Sequence, residues 1–240
     1  MPHVLRLFTD TLAPRAAESR PLPPCPRVLY AAEGMATVVG GGAAATLSQN
    51  SGWFSAASVT VRAGADGAKL LRYELVRTPE ADHGLALGDG VATALTLEAE
   101  LVLDGGPYLM RLDKVELPPG GIAYRHVHQG GGLRCLLLGG FSVETEGHTK
   151  TIAPGEAWFE RGPDPVLARA PKDKPAAFAR VMILPRALIG KSSIRYLDPE
   201  DQAKPKPQKY TIYVDQPIEL PRATQCFLLS WAGLTRASRE

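Results

Sequence analysis

The sequence predicts an all-β chain of two tandem jelly-roll domains, and three observations carry that prediction. The chain matches itself when residues 4–63 are slid along by 105 positions; short apolar segments rich in strand-forming residues alternate with Gly and Pro; and no long stretch before residue 185 keeps a 3.6-residue apolar period. The self-match holds thirteen identical pairs without a gap, against about four for a random overlay of that length at average residue usage. Among them are Arg6 with Arg111, Leu12 with Leu117, Arg20 with Arg125, Gly34 with Gly139, Trp53-Phe54 with Trp158-Phe159 and Val61 with Val166. A chain of 240 residues holds one large domain or two ordinary ones, and the repeat decides for two.

In the first copy, residues 4–7, 28–30, 36–39, 59–62 and 70–75 read as strands of one sandwich. The second copy repeats them at 109–117, 133–138, 142–145, 157–160, 166–168 and 178–184. Leu117-Pro118-Pro119-Gly120-Gly121 and Ala153-Pro154-Gly155-Glu156 supply chain reversals between those strands. Residues 1–78 are therefore assigned to an N-terminal domain, 79–95 to a connector with room for one helical turn at 79–87, and 96–188 to a second domain. Residues 96–103 are expected to add a strand to that second sandwich. Residues 189–240 read as a tail, with a strand at 210–214 pairing across to the first copy or to another subunit, and a loosely ordered end beyond Pro221.

Composition removes several classes of partner. Lys and Arg total 27 against 25 Asp and Glu, a net charge of +2, with no basic stripe to neutralise a row of phosphates, so nucleic acid is not expected. Lys204, Lys206 and Lys209, interleaved with Pro205 and Pro207, read as a solvated extended connector. The three cysteines, Cys25, Cys135 and Cys226, are widely spaced with no CxxC, which fits a reducing compartment. Arg6 and Asp10 interrupt the N-terminal apolar stretch, unlike a signal peptide, and the apolar run at 226–234 falls short of the roughly 20 residues of a membrane helix. A cytoplasmic protein without membrane contact is expected. Exposed sheet edges and a long tail suit a homodimer.

Chemistry should sit in the second copy, where His126 and His128 stand opposite Pro21 and Pro23 of the first. One residue apart on a strand, both imidazoles project from one face, which suits a divalent transition ion such as Fe, Mn, Ni or Zn. Tyr124 shares their alternation parity, so its hydroxyl is placed in the same cavity as a hydrogen-bond donor or acid, a purely structural tyrosine being the alternative. Arg134 interrupts the apolar run 133–138. It either grips a carboxylate of a small ligand or sits on an outer face, paired with an acidic residue across the domain interface. Gln129 and Glu160 are read as solvent-facing or turn residues unless the fold bends them inward, and Cys135 as packed. Trp158 and Phe159 recur as Trp53 and Phe54, which points to packing.

With these residues in view, the second copy resembles the cupin superfamily, whose first motif has a glycine, then HxH, a glutamate and a glycine, followed by a second motif with a PxG-type turn and a third histidine. Gly121, His126, His128 and Gly139 stand where the first motif has its glycines and histidines, and Pro154-Gly155-Glu156 looks like the turn opening the second. The motif glutamate falls near Gly132 and the last histidine near Val166. The first copy is similar to the same pattern without its histidines. The resemblance, over residues 4 to about 184, implies two tandem cupin-type double-stranded β-helix domains, a bicupin, from a superfamily that includes dioxygenases, isomerases, decarboxylases, storage proteins and ligand-binding regulators. Three functions follow as expectations: a metal-dependent enzyme on a small anionic or partly apolar molecule, with Tyr124 and Arg134 assisting the His126 and His128 ion; a ligand-binding or sensing bicupin without metal; and a structural bicupin.

Overall fold

The computed structural model of the chain describes residues 2–17, 21–77, 88–145 and 147–221. Strands dominate. The first copy contains His3–Leu12 (β1), Arg27–Gly40 (β2), Ala43–Ser48 (β3), Ser51–Ser55 (β4), Val59–Arg77 (β5) and Val91–Leu101 (β6). The second contains Tyr108–Leu117 (β7), Ile122–His128 (β8), Gly132–Leu138 (β9), Phe141–Thr145 (β10), His148–Ile152 (β11), Ala157–Glu160 (β12), Val166–Arg169 (β13) and Ala176–Pro185 (β14). Ile194–Tyr196 (β15), one helical turn at Pro199–Ala203 (α1) and Lys209–Ile218 (β16) follow. Among the described residues no helix is long and apolar enough to cross a membrane.

The repeat read from the sequence is a repeat of pairings. Leu7 lies opposite Tyr73 in the first copy and Leu112 opposite Val181 in the second, so the 105-residue offset of the early strands becomes 108 after three extra residues in the second copy. In the second copy two five-stranded sheets, β12-β9-β14-β7-β16 and β11-β10-β13-β8-β15, face each other. In the first copy β2 and β5 are long enough to run through both walls, so one six-stranded sheet wraps round. The repeated glycines serve this bend: Gly34 at φ +68 and Gly139 at φ +86 each leave no room for a Cβ, which would fall 2.2 Å from the carbonyl oxygen of Gly67 or of Pro175.

Two expectations about the edges need correction. Residues 96–103 do not extend the second sandwich: β6 pairs with β1 along its length, Arg6 opposite Glu98. Nor does the 210–214 segment cross to the first copy, since β16 pairs with β7, Arg111 opposite Asp215. Each copy covers the free edge of its own first strand with its own last strand, and the repeated arginine fixes the register by an ion pair, at 3.3 Å to Glu98 and 2.9 Å to Asp215. Residues 79–87 and the chain beyond Pro221 lie outside the described residues.

Alternation along the strands sorts most of the core into three clusters, with a small fourth at Leu109, Met182 and Leu184. Leu12, Leu29, Val38 and Leu70 fill the first barrel, and Val115, Phe141, Trp158 and Phe178 the second. Leu5, Leu7 and Tyr73 from the first copy meet Leu112, Leu133 and Val181 from the second in a third cluster between the barrels. Strands β1 and β7 are buried on both faces for that reason.

The first barrel also buries a cluster of charges. Arg72 donates to Asp10 at 2.6 Å and to Glu74 at 2.8 Å, and Arg27 donates to Glu74 at 2.7 Å. Burial raises the Glu74 carboxyl, but the charges and hydrogen bonds of Arg72 and Arg27 outweigh it and hold the group below its ordinary value of 4.5. A folded value below the unfolded one stabilises the fold in full above the unfolded value, and this contribution is lost as pH falls through the folded one. Glu74→Gln should therefore cost roughly 3–5 kcal/mol at neutral pH by leaving two guanidiniums against one carboxylate, and should flatten the acid limb of the stability curve. Glu98→Gln, in a pair whose carboxylate is 51% exposed, should cost under about 1 kcal/mol. Urea denaturation at neutral and acid pH measures both.

Candidate functional site

The site is built around an irregularity in β8. Opposite β13, Val166 pairs with His126 but Ala168 pairs with Ala123, so Tyr124 and Arg125 together face one residue, Leu167, in a β-bulge. The bulge resets the alternation. Ala123, His126 and His128 face the barrel interior, whereas the Tyr124 ring lies outside, with the ammonium groups of Lys204 and Lys206 at 5.1 and 5.7 Å. The expectation that Tyr124 shares the cavity is therefore wrong: its parity held only for an unbroken strand.

The same bulge fixes one histidine. The Tyr124 carbonyl accepts a hydrogen bond from His126 Nδ1 at 2.6 Å, which puts the ring proton on Nδ1 and leaves a lone pair on Nε2. That nitrogen stands 3.2 Å from His128 Nε2, with the two rings nearly perpendicular. Either His128 Nε2 carries a proton and donates to His126, or two lone pairs face each other across a gap that an electrophile would bridge. Ser193 Oγ lies 3.4 Å from His128 Nδ1.

Around the pair lies a row of inward side chains set by the ladder. Trp158, Arg134 and Arg180 are opposite one another on β12, β9 and β14, and Asp113 continues the row on β7. Arg180 grips Asp113 through two hydrogen bonds of 2.8 and 2.7 Å, and its Nη1 lies 3.4 Å from His128 Nε2. Arg134 Nη2 is 2.7 Å from Glu160 Oε2, Trp158 donates to Glu160 Oε1 at 2.8 Å, and Glu160 Oε2 is 3.5 Å from His128 Nε2. Arg134 thus lies inside its own barrel, not on an outer face paired across the domain interface. Glu160 is turned inward and buried, against the solvent-facing expectation. Gln129 is exposed, and Cys135 packs between the barrels, where burial pushes its thiol up to about 11.

Two buried cations and two buried anions leave the cluster neutral provided both histidines stay uncharged. They do. Burial lowers the pKa of His126 against the opposing charge of Glu160, and His128 is driven well below 6.5 by burial and then by Arg180, Arg134 and His126. Arg134, lowered by burial to about 10, keeps its charge at neutral pH. The open space among these groups is only about 20 Å³, room for one water or one ion, and Gln208 and Tyr210 from the C-terminal segment line it.

For a metal the donor chemistry fits in part. Among the described residues no ready group of three or more His, Cys, Asp or Glu side chains is poised to hold an ion. The nearest approach is His126, His128 and Glu160, whose 3.2 and 3.5 Å separations are close to the ~3.0–3.4 Å between neighbouring donors on one ion with bonds near 2.1 Å. The carbonyl behind His126, and the Arg134 guanidinium and the Trp158 N–H behind Glu160, are the supports that ligands of this kind need.

Of this cluster the first copy keeps only Trp53 in the place of Trp158 and one arginine. Phe8 stands for Asp113, Leu29 for Arg134 and Ser55 for Glu160, with Pro21 and Pro23 for the histidines; Arg72 stands for Arg180. Glu160 and Asp113 were thus legible by the same test that singled out His126 and His128, being unique to the second copy.

No family model matches the chain, and no curated protein matches its sequence. Solved structures do resemble it. An oxalate decarboxylase from Lactobacillus farciminis in complex with formate is 13% identical, over 83% of this chain and 82% of that one, with a TM-score of 0.60. The Bacillus subtilis oxalate decarboxylase OxdC is 13% identical over 83% and 73%, with a TM-score of 0.57. AerE from Microcystis aeruginosa is 15% identical over 77% and 94%, with a TM-score of 0.53. At such identities the likeness speaks for the fold: the chain has the cupin fold, in two tandem barrels.

The Arg134–Glu160 pair can be tested against its own repeat. Arg134→Leu, which installs the residue of the first copy, should cost roughly 3–5 kcal/mol by stranding Glu160. Adding Glu160→Ser should recover most of that loss, a coupling of at least about 2 kcal/mol in a double-mutant cycle read by urea denaturation.

Proposed function

We propose that this protein is a metal-dependent cupin acting on a small anionic molecule, with His126, His128 and Glu160 as the residues that hold a divalent transition ion in the second barrel. The observation that carries the reading is the approach of two imidazole Nε2 atoms to 3.2 Å, one of them deprotonated by its own hydrogen bond to the Tyr124 carbonyl. Neutral imidazoles are the form that ligates, and the depressed pKa values keep both neutral at physiological pH. A B. subtilis oxalate decarboxylase with the same fold has Mn(II) centres. Bound there, an ion would supply Lewis-acid or redox chemistry.

The chain's own residues have defined tasks in this reading. Arg134 and Trp158 position the Glu160 carboxylate, one on each oxygen. Arg180, anchored by Asp113, presents a guanidinium edge to His128. Tyr124 has no part in the reaction. Since the cluster is neutral, a dication adds two uncompensated positive charges, and a ligand arriving as an anion offsets them. This is the reason for assigning an anionic substrate.

A second reading, a ligand-binding bicupin without metal, is favoured by one observation: Glu160 is already engaged by Arg134 and Trp158, and the space beside it is about 20 Å³. Elemental analysis of protein purified without chelator separates the two. The metal reading expects close to one ion per chain, lost in His126→Ala and in His128→Ala but kept in Tyr124→Phe, and held about tenfold or more tightly when oxalate is present. Less than about a tenth of an ion per chain after incubation with Mn, Fe, Ni and Zn salts removes it and leaves the second.

A further inference from the structure

Gln208 lies two residues before Tyr210 at the entry to β16, so both side chains face the barrel while Lys209 between them points out, its side chain 77% exposed. Both line the interior space of about 20 Å³, beside His126, His128, Glu160 and Arg180. Gln208 is only 9% exposed, yet among the described residues neither its amide oxygen nor its amide nitrogen makes a hydrogen bond. The Tyr196 hydroxyl lies close enough to feel the amide, but not in hydrogen-bond geometry. A buried amide unpaired at both atoms costs stability that an apolar side chain of the same size would not. The first copy has the apolar side chain. Ala92 pairs with Thr11 as Lys209 pairs with Glu116, which sets Val91 in the place of Gln208, packed on the first barrel's core. Like His126 and His128, the amide is peculiar to the second copy.

We infer that Gln208 is a specificity-determining residue of this site, selecting a ligand that carries a hydroxyl beside its carboxylate, a 2-hydroxy acid, over the plain acid. This selection rests on the reading of the site as one for a small anion. An amide presents a donor and an acceptor side by side. A bare carboxylate accepts from Nε2 and leaves Oε1 unpaired, whereas a carboxylate with a hydroxyl on the next carbon meets both atoms. The match is the same whichever way the amide is turned. An amino acid also offers a donor, but its ammonium would enter a space that Arg134 and Arg180 already line.

Entry is past Gln208 itself. The cleft between the barrels, about 520 Å³ and walled by Leu101 and Leu103 of the first copy and Phe159 and Ile183 of the second, shares only His128 with the interior space. It is close-packed near that ring: a Cβ on Gly130 would fall 2.1 Å from the Ile183 carbonyl oxygen. On the other side the cover is Gln208 and Tyr210, and the residues leading to them are tied to one another. Lys206 Nζ donates to the carbonyls of Asp201, Gln202 and Lys204, and Lys204 Nζ donates to Asp201. Against the barrel these ammonium groups rest on the Tyr124 and Tyr196 rings, contacts that are weak at an exposed surface. The cover can lift as one piece, and so a space the size of one water admits a 2-hydroxy acid.

The test titrates the full chain calorimetrically with two pairs of acids in which a methyl group replaces the hydroxyl, glycolate with propanoate and lactate with 2-methylpropanoate. At least one hydroxy acid should bind with Kd below about 1 mM, and its partner about tenfold or more weakly. In Gln208→Met that preference should fall below about twofold, and the melting temperature of the ligand-free protein should rise by about 2 °C or more, because an unpaired amide is gone. In the unaltered chain the side-chain amide resonance of Gln208 should shift with glycolate and not with propanoate, a readout that decides even if Gln208→Met does not fold. Equal binding within both pairs, a preference that survives Gln208→Met and so belongs to a bound ion, or a silent Gln208 resonance would overturn the proposal while leaving the anion reading in place. Failure of all four acids to bind below about 1 mM would overturn both.

Discussion

A guanidinium buried inside a β-barrel has to be met by a carboxylate, and that requirement shapes both halves of this molecule. Arg72 and Arg180 occupy equivalent places on the inner face of the strand that closes each barrel. Left unpaired, either would cost several kcal/mol. The first barrel answers with Asp10 and Glu74, and adds Arg27 to balance the second acid. The second answers with Asp113 directly across the ladder, and a further pair, Arg134 with Glu160, lies one strand away. Each barrel ends neutral by a different route. Only the second has room in its balance for polar groups that carry no fixed charge.

Those groups are the two histidines, and their behaviour follows from the company they keep. Deep burial already disfavours an imidazolium, and the nearest charged atoms on the β14 side belong to Arg180. A pair of neutral imidazoles with one lone pair fixed by a backbone carbonyl has two outlets, a shared proton or an electrophile. The bulge in β8 is what makes the choice available, because it takes the Tyr124 ring out of the barrel while giving the Tyr124 carbonyl to the His126 ring. Without the bulge, regular alternation would place Tyr124 inside and Ala123 outside.

This also marks where sequence reasoning holds and where it stops. A gapless offset carries strand positions faithfully as long as both copies have the same length, which is why β1 and β7, or β4 and β12, were legible as pairs. It failed at β6 and β16, whose separation is 117 residues by the pairing of Leu101 and Ile218 with the first residues of β1 and β7. Alternation gave the inward face of His126 and His128 correctly, and misplaced Tyr124, because a bulge has no signature in residue type. Glu160 was read as a solvent-facing or turn residue, unless bent inward, for another reason. A glutamate ending a four-residue strand before Arg161-Gly162-Pro163 looks like a turn residue, and only the ladder, which sets Arg134 beside Trp158, shows what it neutralises.

The first barrel, though it has prolines in the places of His126 and His128, is not a passive copy. Where the second has β8, the first has Pro21 and Pro23, which cannot donate to a ladder, and among the described residues only isolated bridges at Ala17 and Leu22 remain. Leu22 turns inward and is 1% exposed, filling with hydrocarbon part of the volume that the second barrel gives to polar groups. Its outer faces remain functional in the physical sense. Leu5, Leu7 and Tyr73 bury the back of the second barrel's main sheet, and Leu101 and Leu103 form the wall that stands across from Phe159 beside His128. Deleting the first copy would therefore leave β7, β9 and β14 with an apolar face in water and the cleft with one side. A duplicated fold in which one half has lost its polar interior but supplies both the packing and a wall for the other half cannot be reduced to its second domain.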